Sequence, residues 1–235
     1  MQGYTRLDSY RFERKFVAEK VSRPVAEAIV KQNSAFFSEV FSPRKVNNFY
    51  FDTPGMDCYF DNLFGVGNRW KVRIRWYGEL FGKIELPVLE FKIKKGFAGT
   101  KKSFELPSFE VDQTNFYGNS WRNYFASVGL PDEVLAKLYG LQPVLLNTYE
   151  RSYLESRNKK FRITVDNGME YYNLRPTWNH FLHVHKEYLK TVIELKYDHL
   201  WEEEAEHITN QFPFRLDKNS KYIAGVSHFR SEIAQ

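Results

Sequence analysis

In a β-strand, residues i, i+2 and i+4 share a face. The segment RWKVRIRW over 69–76 therefore sets Arg69, Lys71, Arg73 and Arg75 on one side, with Trp70, Val72, Ile74 and Trp76 on the other. The same alternation recurs elsewhere. Glu90, Lys92 and Lys94 lie opposite Leu89, Phe91 and Ile93; Arg162, Thr164 and Asp166 lie opposite Phe161, Ile163 and Val165; Glu194 and Lys196 lie opposite Ile193, Leu195 and Tyr197. Near the start, Arg11, Glu13 and Lys15 share a face against Phe12 and Phe16, and Arg14 interrupts the apolar side. Neighbouring cations ~6.7 Å apart on such a strand repel by ~0.6 kcal/mol in water but by ~2.5 kcal/mol at an effective dielectric near 20. A sheet with one solvated face carries that cost easily and is common. Inside a barrel, three such pairs need acidic neighbours or a bound polyanion, and the acids on these faces (Glu13, Glu90, Asp166, Glu194) are fewer than the cations. A charged barrel interior that takes a multiply charged anion is the sharper of the two expectations.

Other chemistry-bearing patterns have plainer readings. GVGNRW (65–70) lacks the third glycine of a dinucleotide fingerprint, and GELFGK (78–83) is one residue short of a phosphate-binding loop, so a hairpin turn is expected there. His180, His183 and His185 cluster, but an exposed loop edge is favoured over a transition-metal site. Cys58, the single cysteine, is read as a packed thiol and excludes an internal disulfide. Lys92, Lys94, Lys95, Lys101 and Lys102 form either a solvated hairpin or the basic mouth of a binding site. Tyr149 and Tyr153 share a face with Arg151, where they either pack within the sheet or stack on a base.

The elements that must position these side chains are mostly strands. The 235 residues carry 34 Lys+Arg against 29 Asp+Glu, a formal charge of +5 that permits an anionic partner without demanding one. With 43% apolar and 17% aromatic residues the chain has ample core material. No apolar run is long enough to span a bilayer and no signal-peptide stretch is present, so a cytoplasmic location is expected. Strands are expected at about 9–17, 46–53, 69–77, 85–95, 101–106, 143–154, 160–166, 169–174, 186–197 and 214–223. Short helices are expected at about 22–32 (Ser22 as N-cap, Pro24 just inside), 55–62, 117–127, 131–139 and 201–209. With no internal repeat or linker, residues 1–235 read as one α+β domain, mainly antiparallel β.

Taken in order, these segments resemble the VTC domain of polyphosphate polymerases, within the triphosphate tunnel metalloenzyme superfamily. RFERKF (11–16) resembles the first acidic/basic strand. YFDTP (50–54), VRIRWYG (72–78), LEFKIK (89–94), YERSY (149–153), FRITVD (161–166), IELKY (193–197) and KNSKY (218–222), with Gly225 behind it, resemble the segments that follow. Arg11 stands where the hydrolytic and cyclase branches have the first glutamate of Glu-x-Glu-x-Lys, which favours the VTC branch. Without the regulatory phosphate-sensing domain and membrane spans that accompany the eukaryotic vacuolar polymerases, the resemblance is to a free-standing, bacterial-type protein. The resemblance implies a closed tunnel barrel of about eight antiparallel strands with a charged interior and short flanking helices. It also implies transfer of the ATP γ-phosphate onto a polyphosphate chain with Mn²⁺ or Mg²⁺. By motif match, Lys15, Arg73, Arg75, Lys92, Arg151, Arg162 and Lys221 carry the catalysis. Arg11, Lys71, Lys94, Lys196, Lys218 and Ser220 bind phosphate, and Glu194, assisted by Glu13, holds the metal.

Those residue types suit phosphoryl transfer, which needs alignment and charge neutralisation more than covalent help. If water replaces the acceptor chain, the same site is a triphosphatase or polyphosphatase. A module that binds polyphosphate or an inositol phosphate without turnover is a further reading. Nucleic acid is the least favoured partner, and membrane partners and oligomeric state stay open.

Overall fold

The computed structural model describes residues 11–96, 98–114, 116–117, 120–179 and 181–233. Its strands are β1 (Arg11–Glu19), β2 (Ser38–Asp52), β3 (Asn68–Tyr77), β4 (Gly82–Ile84), β5 (Val88–Lys95), β6 (Ala98–Glu105), β7 (Phe109–Val111), β8 (Phe116–Tyr117), β9 (Gln142–Glu155), β10 (Arg162–Asn173), β11 (Trp178–Asn179), β12 (Val184–Glu187), β13 (Lys190–Asp198) and β14 (Arg215–Leu216). The helices are α1 (Arg23–Lys31), α2 (Asp57–Leu63), α3 (Ser120–Ser127), α4 (Asp132–Leu138), α5 (Glu202–Thr209) and α6 (Lys221–Ile233). No described helix is long and apolar enough to cross a membrane.

The main sheet runs β14-β1-β13-β10-β9-β2-β3-β5-β6, with β12 added beside β10, and its pairs are antiparallel. This corrects the expected closed eight-stranded barrel. Among the described residues the order ends at β14 and β6, which do not pair, so the sheet is open. The two-residue β14 offers too short a ladder for closure by backbone hydrogen bonds. The sheet nevertheless curls. Lys92 on β5 reaches Glu13 on β1 at 3.3 Å, although five strands lie between them in the sheet order. The result is a trough rather than a bore.

The period-2 patterns sort to its two sides as expected. On the outer side, Val72, Ile74, Trp76, Leu89 and Phe91 pack beneath Trp121 and Phe125 of α3 and Val134 and Leu138 of α4. Further round, Phe16, Ile163, Val165, Ile193 and Leu195 pack against Ala26 and Val30 of α1 and Ala205 and Ile208 of α5. Arg14, the exception on the apolar side of β1, is neutralised there by Glu202 at 2.6 Å and bonded to Tyr197 and Thr209. The turn at Gly78 leads out of the main sheet, because β4 pairs with β7 and not back onto β3. The expected strand at 214–223 is also corrected: only Arg215–Leu216 is strand, and α6 follows. Tyr222, Val226 and Phe229 recur at helical spacing and are buried against Tyr50, Leu145 and Tyr171, so α6 fills one end of the trough.

Candidate functional site

Three arginines form the floor of the trough, each held by neighbours that fix its head. Arg73 on β3 donates to Glu90 on β5 from Nε at 2.7 Å, with Nη2 at 2.6 Å. Arg75 donates to Asn48 Oδ1 at 3.1 Å and to the Tyr149 hydroxyl at 3.5 Å, with Glu90 at 4.0 Å. Arg151 on β9 forms a fork onto Asp166 on β10, at 2.6 Å and 2.7 Å. Lys221, the first residue of α6, reaches the same carboxylate at 2.5 Å, and both cations lie over the Tyr149 ring. Asp166 is fully buried. Burial presses the Asp166 and Glu90 carboxyls up, but Arg151 and Lys221 in one case, and Arg73 and Arg75 in the other, outweigh it and hold both below the ordinary carboxylate range.

A second group of charges comes from β1 and β13. Lys15 Nζ stands 3.5 Å from both Glu13 and Glu194, Lys196 lies 2.8 Å from Glu194, and Lys92 completes the set on Glu13. Burial and the other's charge press the Glu13 carboxyl up, yet Lys92, Lys15 and Lys196 keep its pKa below normal. Burial likewise opposes ionisation of Glu194, and Lys196, Lys15 and Arg151 hold it well below the usual range. Thr164, opposite Glu194 in the β10–β13 register, leaves its buried hydroxyl without a hydrogen-bond partner among the described residues. Among the described residues Lys71 has one hydrogen-bond partner, Ser220 Oγ at 3.0 Å. Burial, then the charges of Lys15, Lys92, Arg69 and Arg73, pulls its pKa down to about 7.

Of the residues expected from sequence, Lys15, Lys71, Arg73, Arg75, Lys92, Arg151, Lys196, Ser220, Lys221, Glu13 and Glu194 come together in this trough. Others do not. Arg162 shares the inward parity but sits at the strand end, 63% exposed and paired with Glu155 at 3.0 Å. Lys94 and Lys218 are exposed. The Arg11 backbone pairs with Asp198, and its side chain lies outside the described residues. So does His180. His183 is exposed against Phe229, and His185 stacks on His228 at 3.5 Å, which places this edge beside α6 rather than in a free loop. Cys58 is buried, its thiol pushed up by burial and Asp52.

Sequence reasoning passed over the positioning residues. Asp52, in YFDTP, accepts from the backbone N–H groups of Thr53, Cys58 and Tyr59 at 2.7–2.9 Å and from the Tyr222 hydroxyl. It thereby ties α2 and α6 to the sheet and sets Ser220 and Lys221 at the trough. Both motifs were visible as matches, but nothing local to either tells that they meet.

Among the described residues no group of three or more His, Cys, Asp or Glu side chains is placed to hold a metal ion. Glu13 and Glu194 fit a narrower requirement. Both are ionised, they converge on the Lys15 ammonium, and a divalent cation bound by one or two carboxylates takes its remaining ligands from phosphate oxygens and water. Cavities of about 360 Å³, beside α5, and about 490 Å³, beside α3, lie outside the trough and contain none of these residues.

A family model for the VTC domain matches residues 11–230. The chain belongs to the VTC domain family. The fold of this VTC chain is similar to that of the PH1819 protein from Pyrococcus horikoshii OT3, with TM-score 0.53 and 15% identity over 93% of this chain and 99% of the other. It is also similar to that of a putative adenylate cyclase from Vibrio parahaemolyticus, with TM-score 0.50 and 13% identity over 92% and 98%. The bacterial-type assignment is corrected here. The likeness reaches a Pyrococcus protein as readily as a Vibrio one and assigns no source to this VTC domain.

Proposed function

We propose that the trough binds the anionic chain of a linear triphosphate or polyphosphate and cleaves its terminal phosphoanhydride bond with a divalent cation, water being the acceptor. The observation that carries this reading is the pair Glu13 and Glu194, two ionised carboxylates set among Lys15, Lys92, Lys196 and Arg151. A site that only captured polyanions would gain nothing from them. A bound Mg²⁺ or Mn²⁺ on these carboxylates supplies Lewis-acid polarisation of phosphoryl oxygens. Arg73, Arg75 and Arg151 present forked donors to non-bridging oxygens, and Lys221 and Lys15 act as point charges. Glu90 and Asp166 hold the arginine heads in place before the substrate arrives, which removes reorganisation from the reacting step. Water has access because the sheet is open and Lys92 at its rim is 55% exposed.

The VTC family match favours a second reading on the same residues, in which the terminal phosphate of a polyphosphate chain takes the place of water. Incubation with ATP and Mn²⁺, followed by separation of free phosphate from long-chain polyphosphate, distinguishes the two. Glu194→Gln is expected to abolish turnover in either case while leaving tripolyphosphate binding intact or tighter. Unchanged turnover with weaker binding would overturn the metal role.

A further inference from the structure

A buried hydroxyl that meets no partner is destabilising, because folding takes away its hydrogen bond to water and replaces it with nothing. Thr164 Oγ1 is in that position. Among the described residues it has no hydrogen-bond partner, and Thr164 is only 8% exposed. The side chain belongs to the inward face of β10, between Arg162 and Asp166. The Asp166 carboxylate is engaged by Arg151 and Lys221. Across the ladder to β13 the residue opposite Thr164 is Glu194, and residues so paired have Cβ atoms about 4.5–5.5 Å apart. The Glu194 carboxylate is nonetheless turned to lysines, Oε1 to Lys196 at 2.8 Å and Oε2 to Lys15 at 3.5 Å.

Ser103 on β6 offers a contrast. Its buried Oγ also lacks a partner among the described residues, and it stands opposite Glu90. Glu90, however, is bound by two nitrogens of Arg73, a planar fork that fixes the carboxylate. The ammonium groups on Glu194 ride on flexible stems and can move to phosphate when a polyanion enters. We infer that Thr164 is a positioning residue: as a lysine leaves Glu194, the Thr164 hydroxyl donates to the carboxylate and fixes its orientation for a divalent cation. A hydroxyl turns to suit its acceptor, so the exchange needs no backbone movement. Carboxylates that ligate metals are commonly oriented by such an outer hydrogen bond. The inference rests on the reading of Glu13 and Glu194 as the metal-holding pair and adds the group that orients one of them.

The test compares the full wild-type chain with Thr164→Val, Thr164→Ser and Ser103→Ala. Thr164→Val keeps the branched shape and removes the hydroxyl. Without metal it is expected to raise the melting temperature by about 2–12 °C, and calorimetry is expected to show tripolyphosphate affinity unchanged. With tripolyphosphate as substrate, the Mn²⁺ concentration that gives half-maximal phosphate release should rise roughly 10- to 100-fold. Thr164→Ser should restore the wild-type requirement, and Ser103→Ala should not alter it. A Thr164→Val protein that melts below wild type, or does not fold, overturns the inference, because the hydroxyl then has a structural partner. An unchanged Mn²⁺ requirement overturns it too, as does a shift that Thr164→Ser fails to reverse or that Ser103→Ala reproduces. In those cases Mn²⁺-dependent release by wild type leaves the proposed function standing. If wild type binds tripolyphosphate but releases no phosphate with Mn²⁺, the proposed function itself fails and the inference falls with it.

Discussion

Replacing Asp166 by Asn tests the electrostatic construction of the trough at its most buried point. The carboxylate is fully buried, and it receives two bonds from Arg151 and one from Lys221, whose side chains are each 10% exposed. Asn has nearly the same shape but no charge, so the substitution leaves two cations facing each other without compensation. Breaking a buried pair in this way costs about 3–5 kcal/mol. For a chain of this size each kcal/mol lowers the melting temperature by about 2–4 °C, which gives an expected fall of about 6–20 °C. The sign of the pH dependence follows from the lowered pKa of Asp166. Its contribution is present above the unfolded carboxylate value near ~3.9 and is lost as pH falls through the folded value, so the gap between wild type and variant closes on acidification. Tripolyphosphate replaces the missing negative charge and is therefore expected to stabilise the variant more than the wild type. Thermal melts at neutral and acid pH, with and without tripolyphosphate, read all three effects. A variant that melts with wild type at neutral pH, or whose deficit does not change with pH, would refute the argument.

Lys71, with its pKa near 7, is expected to take up a proton when a polyanion restores its charge. At pH 8 the uptake should approach about one proton per ligand and at pH 6 it should vanish. Calorimetry of tripolyphosphate binding in buffers of different ionisation enthalpy measures it, and Lys71→Met should remove that share; identical uptake in the two proteins would count against the assignment. Gly225→Ala addresses the seating of α6. A Cβ there would stand 2.6 Å from Tyr171 Cδ1 and 2.8 Å from Leu145 Cδ2, both on buried side chains. The overpacking costs about 1–3 kcal/mol against a helix-propensity gain of about 1 kcal/mol. The net expectation is a lower melting temperature and weaker tripolyphosphate binding through displaced Lys221; a more stable variant with full affinity would contradict it.

The two faces of the sheet were legible because strand parity is a local property. Arg73, Arg75 and Arg151 face inward as the alternation required. Parity does not report depth, however. Arg162 has the right parity and still ends up beside Glu155 at an exposed strand end. Closure was not legible either, because it depends on whether two edges distant in sequence can pair, and the edge after α5 contains only Arg215 and Leu216. The segment 214–223 read as a strand because Phe214 and Leu216 alternate with Arg215 and Asp217. The helical signal lay just beyond it, in Tyr222, Val226 and Phe229. Partner choice is the least local property of all. Glu90 and Asp166 were visible as acids on charged faces, but their assignment to Arg73 and Arg151 needs the register between strands.

That partner choice divides the four inward carboxylates into two kinds, and the division bears on which of them can exchange partners. Glu90 and Asp166 are each engaged by an arginine through Nε and a terminal nitrogen, a planar fork with fixed direction. Withdrawing either acid to bind another cation would leave a guanidinium unpaired in a buried site. Among the described residues the ion pairs of Glu13 and Glu194 come from lysines, through contacts of 2.8–3.5 Å on flexible stems. An ammonium on such a stem can swing from carboxylate to phosphate when a polyanion enters, which frees both carboxylates while the arginine floor stays in place. The acids that keep arginines fixed and the acids that can release lysines are therefore different residues, and on the proposed reading a divalent cation that arrives with its phosphate is expected on Glu13 and Glu194 rather than on Glu90 or Asp166.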